Sequence, residues 1–280
     1  KDRPLIYNND NDELNEFIIS PFGTEETLDI ITWNLQLFPK SYNVTLEYVE
    51  KIIKDINVDI IALQEINSYG YFQMLLDNLN CQRLDINNYG ECLDTLGWAL
   101  TEQGCKIITG CSTINQLGND DGELIYSDSL SCIINCSIQW DGYRTNDGSY
   151  NLAYIYNSSS IEIIDIYEIF TDNDDWWSFP RAPLIIEFLW NNIEYVLINN
   201  HFKCCDGSED RRLSASLLLH EYIIENLYNR NLIMLGDLND NLTDINNNVF
   251  INFIQDTTVL FTDMNIAQGS SMYWSYPSWP

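Results

Sequence analysis

Leu28-Asp29-Ile30-Ile31-Thr32-Trp33-Asn34 reads as a strand, and the elements after it decide the fold. Thr45 to Ile56 places Leu46, Val49, Ile52, Ile53 and Ile56 at i, i+3, i+4 spacing, the pattern of an amphipathic helix. Asp59 to Glu65 is a second strand and Tyr69 to Leu79 a second helix. A β-α-β-α opening sets a layered α/β plan. The middle is richer in strands: Leu96 to Leu100, Lys106 to Thr109, Glu123 to Tyr126, Asn151 to Asn157, Ile161 to Phe170, Pro183 to Trp190 and Glu194 to Asn200, with Gly, Asn and Asp in the gaps. Helical spacing returns over Arg211 to Tyr228, followed by a strand at 231–235 and a short helix near Val249 to Ile254. The expected architecture is two packed sheets flanked by helices. Residues 1–27 are polar and acidic without periodicity and read as an extension ahead of a single domain, 28–280.

Bulk composition narrows the function classes. The 280 residues, 45% of them apolar, suffice for a real core, which argues against disorder. Thirteen basic against 42 acidic residues give a net charge of −29. Such a surface repels polyanions at long range and argues against a broad duplex-wrapping face. It does not argue against a metal-centred phosphoesterase. Solubility, as in salty surroundings, is the plainer reading of the charge. Of eight cysteines, Cys81, Cys92, Cys105, Cys111, Cys132 and Cys136 cluster in loop-like sequence, and Cys204 and Cys205 are neighbours. An even count in such a setting favours disulfides and a secreted or extracytoplasmic protein. Cys204 and Cys205 have either a partner each or a vicinal bridge. With two histidines and no paired C-x-x-C units, a zinc site is a poor reading. The longest apolar runs are too short to span a bilayer. A monomer is expected.

Three apolar strands deliver chemistry at their ends. Ile60-Ile61-Ala62-Leu63-Gln64-Glu65 ends in a carboxylate, and Val196-Leu197-Ile198-Asn199-Asn200-His201 in an imidazole. Asn231-Leu232-Ile233-Met234-Leu235 leads into Gly236-Asp237-Leu238-Asn239, with a carboxylate and a carboxamide two residues apart. Open α/β sheets build their sites at such ends.

The ordered set is Thr32-Trp33-Asn34-Leu35-Gln36, Leu63-Gln64-Glu65-Ile66, Phe179-Pro180-Arg181-Ala182-Pro183, Asn199-Asn200-His201-Phe202-Lys203 and Gly236-Asp237-Leu238-Asn239. Each motif is short, but all five in this order resemble the endonuclease/exonuclease/phosphatase superfamily, the deoxyribonuclease-I-like fold. That resemblance implies a four-layer α-β-β-α sandwich and a divalent-metal-dependent phosphodiesterase. A secreted nuclease ranks first. A phosphatase or phospholipid phosphodiesterase of the same fold, or a catalytically inactive binding relative, ranks behind it. Trp274-Ser275-Tyr276-Pro277-Ser278-Trp279-Pro280 resembles the stretch that, in this family, precedes a strand carrying an Asp and a closing Ser-Asp-His run. The chain stops before both and reads as truncated, without its C-terminal strands or the second histidine of the family's pair.

The resemblance also implies roles for the matched residues. Glu65, Asn34 and Asp237 would hold Mg²⁺ or Mn²⁺ through hard oxygen atoms. His201, Asp237, Asn239 and Arg181 would be catalytic, with His201 suited to proton transfer and Asp237 to orienting water. Asn34, Asn239 and Arg181 would bind the phosphate, Arg181 through its fork of donors. Gln36 and Asn200 are further candidate members. Nucleic acid or another phosphodiester is the expected partner.

Each residue also has a plainer reading: Glu65 as an ordinary strand end, Asp237 and Asn239 as a turn, and Arg181 as half of an ion pair. His220 reads as a surface helix residue. Trp176-Trp177 reads first as buried packing and second as a base- or sugar-stacking platform. Asp172-Asn173-Asp174-Asp175 reads first as a solvated loop and second as a structural Ca²⁺ site.

Overall fold

The computed structural model describes residues 20–86, 99–101, 104–106, 130–136, 139–146, 148–242 and 247–259. Strand β1 (Ile30–Phe38) leads into helix α1 (Tyr42–Ile56), then β2 (Ile60–Ile66) and α2 (Tyr69–Asn80). Next come β3 (Cys81–Ile86), β4 (Ala99–Thr101), β5 (Gly104–Lys106), β6 (Leu130–Cys136), β7 (Trp140–Arg144) and β8 (Asn151–Asn157). The chain continues through β9 (Glu162–Glu168), a 3₁₀ turn (Asn173–Trp177), β10 (Leu184–Trp190) and β11 (Ile193–His201). It closes with α3 (Glu209–Asn226), β12 (Leu232–Asp237) and the short α4 (Ile251–Gln255).

Two mixed four-stranded sheets result, ordered β1-β2-β8-β7 and β12-β11-β10-β9. The first is drawn wholly from residues 30–157 and the second from residues 162–237. The architecture is the expected α+β sandwich, and its layers follow from where the apolar side chains go. Leu46, Val49, Ile53 and Ile56 of α1 pack with Phe72, Leu75 and Leu79 of α2 against Ile61, Leu63 and Ile155 of the first sheet. Ala215 and Leu219 of α3 and Phe253 of α4 cover Ile185, Val196 and Ile198 of the second. Between the sheets, Ile60, Ala62 and Tyr154 meet Leu184, Ile186, Phe188 and Leu197. Strands covered on both faces become continuous apolar runs, which is why β2 shows no alternation.

The inter-sheet seam also carries polar groups, and they are satisfied. Gln64 Nε2 donates to Asn199 Oδ1 at 2.7 Å. Asn199 Nδ2 donates to Leu63 O at 2.9 Å and to Ala153 O at 3.1 Å. The Tyr154 hydroxyl lies 2.9 Å and 3.0 Å from Leu184 O and Leu197 O. Hydrogen bonds in so dry a place are directional, and they fix one sheet's position relative to the other.

Four strands differ from the sequence expectation: β5 ends at Lys106, where the expected strand to Thr109 begins, and residues 107–109 lie outside the described residues. β3, β6 and β7 form where none is expected: β3 pairs with β6, and β7 joins the edge of the first sheet. The centre of β7 is Gly142. In the structure a Cβ there would lie 2.7 Å from Tyr154 O and 3.0 Å from Phe72 Cζ, so glycine marks a close approach within a strand. The expected strand at Glu123 to Tyr126, the stretch Trp274 to Pro280, and residues 1–19 of the expected extension lie outside the described residues. Phe22 and Gly23 N–H both donate to Ile56 O, tying the segment ahead of β1 to the end of α1. No described helix is long and apolar enough to cross a membrane.

Candidate active site

β1 and β2 run parallel with Asn34 opposite Gln64, and both then bulge. Gln36, Leu37 and Glu65 take φ values of 48°, 65° and 63°. Left-handed backbone is uncommon for residues with a Cβ, and bulges re-aim side chains. Here the bulges turn the Glu65 carboxylate back onto β1. Leu37 N–H donates to Glu65 Oε2 and Asn34 Nδ2 to Glu65 Oε1, each at 3.0 Å. Gln36 N–H donates to Asn34 Oδ1 at 2.8 Å, which fixes the direction of the carboxamide.

In the second sheet β11 and β12 are parallel, with His201 opposite Asp237 and Asn200 opposite Gly236. Gly236 has φ 135°, and a Cβ there would lie 2.0 Å from Asn200 O. Only glycine lets the strands approach so closely where Asp237 begins. Beyond it, Asn239 N–H donates to Asp237 Oδ1 at 3.2 Å and Asn239 Nδ2 to Phe202 O at 3.1 Å.

The two halves meet at Asn34. The Nδ2 that donates to Glu65 also donates to Asp237 Oδ2, at 2.7 Å. His201 Nε2 lies 3.8 Å from Glu65 Oε1 and 3.9 Å from Asp237 Oδ2. Arg181 Nη2 donates to His201 O at 2.9 Å and Phe202 O at 2.7 Å. Asn34, Glu65, Arg181, His201, Asp237 and Asn239 therefore form one cluster built from both sheets.

Burial sets the charge states. It pushes the His201 imidazole down to about 3, with the Arg181 and Lys203 charges adding to the effect, so the ring is neutral at pH 7. Burial lowers Arg181 to about 10 while Glu65 and Asp237 pull it back up, so the guanidinium stays charged. Two buried polar atoms here, Arg181 Nε and His201 Nδ1, have no hydrogen-bond partner. Such orphans are rare in folded interiors, and their concentration at one place suits a site whose occupant completes it.

Two carboxylates drawn onto one carboxamide are the hard-oxygen donors that a hard divalent cation takes. No group of three or more His, Cys, Asp or Glu capable of holding a metal forms among the described residues. Glu65 and Asp237 are two carboxylates, and Mg²⁺ is commonly held through one or two carboxylates with water retained. Asp172, Asn173 and Asp174 are exposed, at the start of the 3₁₀ turn.

Residues 31–280 match the model of the Endonuclease/Exonuclease/phosphatase family. The chain belongs to that family. Among solved structures it is similar to human Nocturnin (16% identity over 86% of this chain and 74% of that one, TM-score 0.48). It is similar to a Bacteroides thetaiotaomicron mannosyl-6-phosphatase (12% identity, 81% and 70%, TM-score 0.49). It is also similar to D. rerio TDP2 complexed with single strand DNA product (14% identity, 76% and 61%, TM-score 0.47). The chain thus spans less than two thirds of that TDP2 chain. No curated protein matches it.

Within this family member the remaining candidates separate. Gln36 is exposed and accepts from Lys40 Nζ at 2.6 Å, away from the carboxylates. Asn200 Nδ2 donates to its own strand at Ile198 O and to Leu235 O. Arg181 does not form the close ion pair of its plainer reading, because its bonds go to backbone carbonyls. His220 is not a solvent-facing helix residue: its Nε2 lies 2.9 Å from Asp256 Oδ2 and its ring meets Phe253 edge-on at 4.9 Å. Trp176 and Trp177 are exposed rather than buried. Cys204 and Cys205 pair with each other as a vicinal disulfide, and the side chains of the other six cysteines lie outside the described set.

Arg212 is not legible in the sequence as part of the site. It sits on α3, where an arginine reads as surface charge, yet it is buried. Nε donates to Asp240 Oδ2 at 2.6 Å, and Nη1 to Lys203 O and Cys205 O at 3.0 Å and 3.1 Å. One guanidinium thereby ties the loop after His201 to the loop after Asp237. Its only sequence signal is the acid of Gly236-Asp237-Leu238-Asn239-Asp240 that ends the motif.

Proposed function

We propose that this chain hydrolyses phosphodiester bonds of nucleic acid with Mg²⁺ or Mn²⁺, outside the cytoplasm. The observation that carries the reading is the shared donor at Asn34, which sets Glu65 and Asp237 side by side with neutral His201 against both. Phosphodiester hydrolysis needs charge neutralised on the phosphate, a directed water and help for the leaving oxygen. A divalent cation bound by Glu65 and Asp237 supplies the neutralisation and a Lewis acid.

The protein's own groups supply the rest. Arg181 remains charged, and its anchored Nη2 leaves the rest of the fork for a phosphate oxygen. Neutral His201 is a proton acceptor or hydrogen-bond partner at the reacting oxygen. Asp237, steadied by the Asn239 N–H, orients water; Asn34, with both amide hydrogens on Glu65 and Asp237, positions the carboxylates, and the second amide hydrogen of Asn239 donates to a non-bridging oxygen. The vicinal Cys204–Cys205 pair and the eight cysteines support an oxidising compartment.

The test is incubation of the full-length protein with single-stranded and plasmid DNA, Mg²⁺ or Mn²⁺, and an EDTA control. Cation-dependent cleavage is expected. The net charge of −29 favours a second reading, a small or lipid phosphodiester, because it slows approach to a polyanion. Hydrolysis of sphingomyelin or phosphoinositides without attack on DNA would select that reading. No hydrolysis of either class would leave a binding relative.

A further inference from the structure

Just ahead of Arg181 the chain makes one 3₁₀ turn and sets two tryptophans side by side on the surface. Trp176 is 62% exposed and Trp177 47%. Scattered apolar side chains on a surface are ordinary, but a fixed pair of the largest ones is not. This pair is fixed from α3. Arg211 donates Nη2 to Trp176 O at 3.1 Å and Nε to Trp177 O. Its guanidinium carbon lies 5.0 Å from one ring centroid and 5.9 Å from the other. The next residue, Ser178, meets Ser214 of α3 with hydroxyls 2.8 Å apart. Phe179 then enters the core, stacked on Phe170 with ring centroids 4.6 Å apart. The backbone of the turn is thus clamped on α3 and in the core, with the Arg211 guanidinium beside both rings.

The pair stands beside the candidate site. Trp177 precedes Arg181 by four residues, at most about 14 Å of extended chain. Arg211 is close enough for its charge to act on Arg181. In a molecule of net charge −29, three positive charges gather here: Arg211 acts on Arg181, and Arg181 and Lys203 act on His201.

We propose that Trp176 and Trp177 form a stacking platform for an unpaired base of a nucleic-acid strand whose phosphate lies at Arg181 and His201. The proposal rests on the nucleic-acid reading above and narrows it to single strands or frayed ends. Exposed aromatic faces with an arginine beside them are the two ingredients of sequence-tolerant single-strand binding. A duplex keeps its bases stacked inside and offers mainly phosphates, which the acidic surface repels. Asp172, Asp174 and Asp175 on the same turn add to that repulsion and also oppose an anionic lipid surface.

The experiment compares full-length wild type, the double variant Trp176→Ala/Trp177→Ala and the rescue Trp176→Phe/Trp177→Phe. Substrates are a single-stranded oligonucleotide and a strand of the same length made of abasic units. In the Ala variant the ratio of kcat/KM for the base-bearing strand to that for the abasic strand should fall about tenfold, and Phe should restore most of it. An unchanged ratio overturns the platform. Tryptophan fluorescence, titrated with the oligonucleotide in EDTA, gives a readout independent of turnover. Quenching in wild type that the Ala variant lacks supports the platform, and equal quenching in both overturns it. If wild type cleaves no nucleic acid, the reading beneath has failed, and the titration still decides the platform. Loss of binding to phosphatidylcholine vesicles in the Ala variant, with oligonucleotide binding intact, makes the pair a membrane contact and overturns the proposal.

Discussion

Glu65 sits at φ 63° with both carboxylate oxygens accepting hydrogen bonds, one from Leu37 N–H and one from Asn34 Nδ2. Asn239, at φ 52°, is likewise left-handed. Backbone held this way by residues other than glycine costs on the order of 1–3 kcal/mol each and persists only where surroundings impose it. Gly236 represents the opposite case, where only a missing side chain permits the geometry. Gly236→Ala should therefore lower unfolding free energy by roughly 1–3 kcal/mol or more, read from urea denaturation, because its Cβ would strike Asn200 O. A midpoint equal to wild type would contradict the close strand approach. His201→Ala and Asp237→Ala should each cut kcat/KM by about 10² or more. Either variant retaining full rate would remove that residue from the chemistry.

At the scale of elements, the strand-end residues are legible in the sequence and the devices that aim them are not. Buried strands leave long apolar runs, so the ends of β2, β11 and β12 announce Glu65, His201 and Asp237 in order. Bulges carry no comparable cue: nothing in Asn34-Leu35-Gln36-Leu37 marks a register slip. The Gln64–Asn199 bond is equally hidden, because two polar residues near strand ends look like site members rather than a seam between sheets. Asn199→Leu should cost about 1–3 kcal/mol by removing the Oδ1 acceptor of Gln64 Nε2 and the Nδ2 donor to Leu63 O and Ala153 O in a dry layer. Stability unchanged in calorimetry would mean that the seam is not fixed there. His220 reads as a surface residue because its partner element, α4, is only five residues long and leaves little periodicity. The Asp256 that caps α4 is held at about 2, below its ordinary 3.8, chiefly by the Thr258 hydroxyl, with Thr258 N–H and His220 contributing. A depressed carboxyl stabilises the fold above its unfolded value and loses that contribution as pH falls through the folded value. Urea midpoints should therefore drop between about pH 4 and pH 2, and Asp256→Asn should flatten that part of the profile. Parallel curves for the two proteins would exclude Asp256 as the cause.

For the whole molecule the decisive quantity is charge. A body of net charge −29 meeting a polyanionic strand gains from added salt, because screening shortens the range of repulsion to about 10 Å at 0.1 M. KM for an oligonucleotide should fall as NaCl rises from low concentration to about 0.1 M, the reverse of a basic nucleic-acid binder. KM rising over that range would show that local cations outweigh the surface. Composition makes this surface plain, but it does not reveal where the few cations sit. Arg181 and Arg211 come together only when the segment before β10 meets α3.

Each sheet is drawn from its own continuous length of chain, with the turn at Ser158 to Ser160 between them. Glu65 and Asn34 belong to the first length; Arg181, His201, Asp237 and Asn239 belong to the second. A nick in that turn would sever the carboxylate that faces the imidazole from the imidazole itself while leaving every strand with its neighbours. Hydrolysis then becomes a reporter of reunion between two separately made pieces, silent in either one alone.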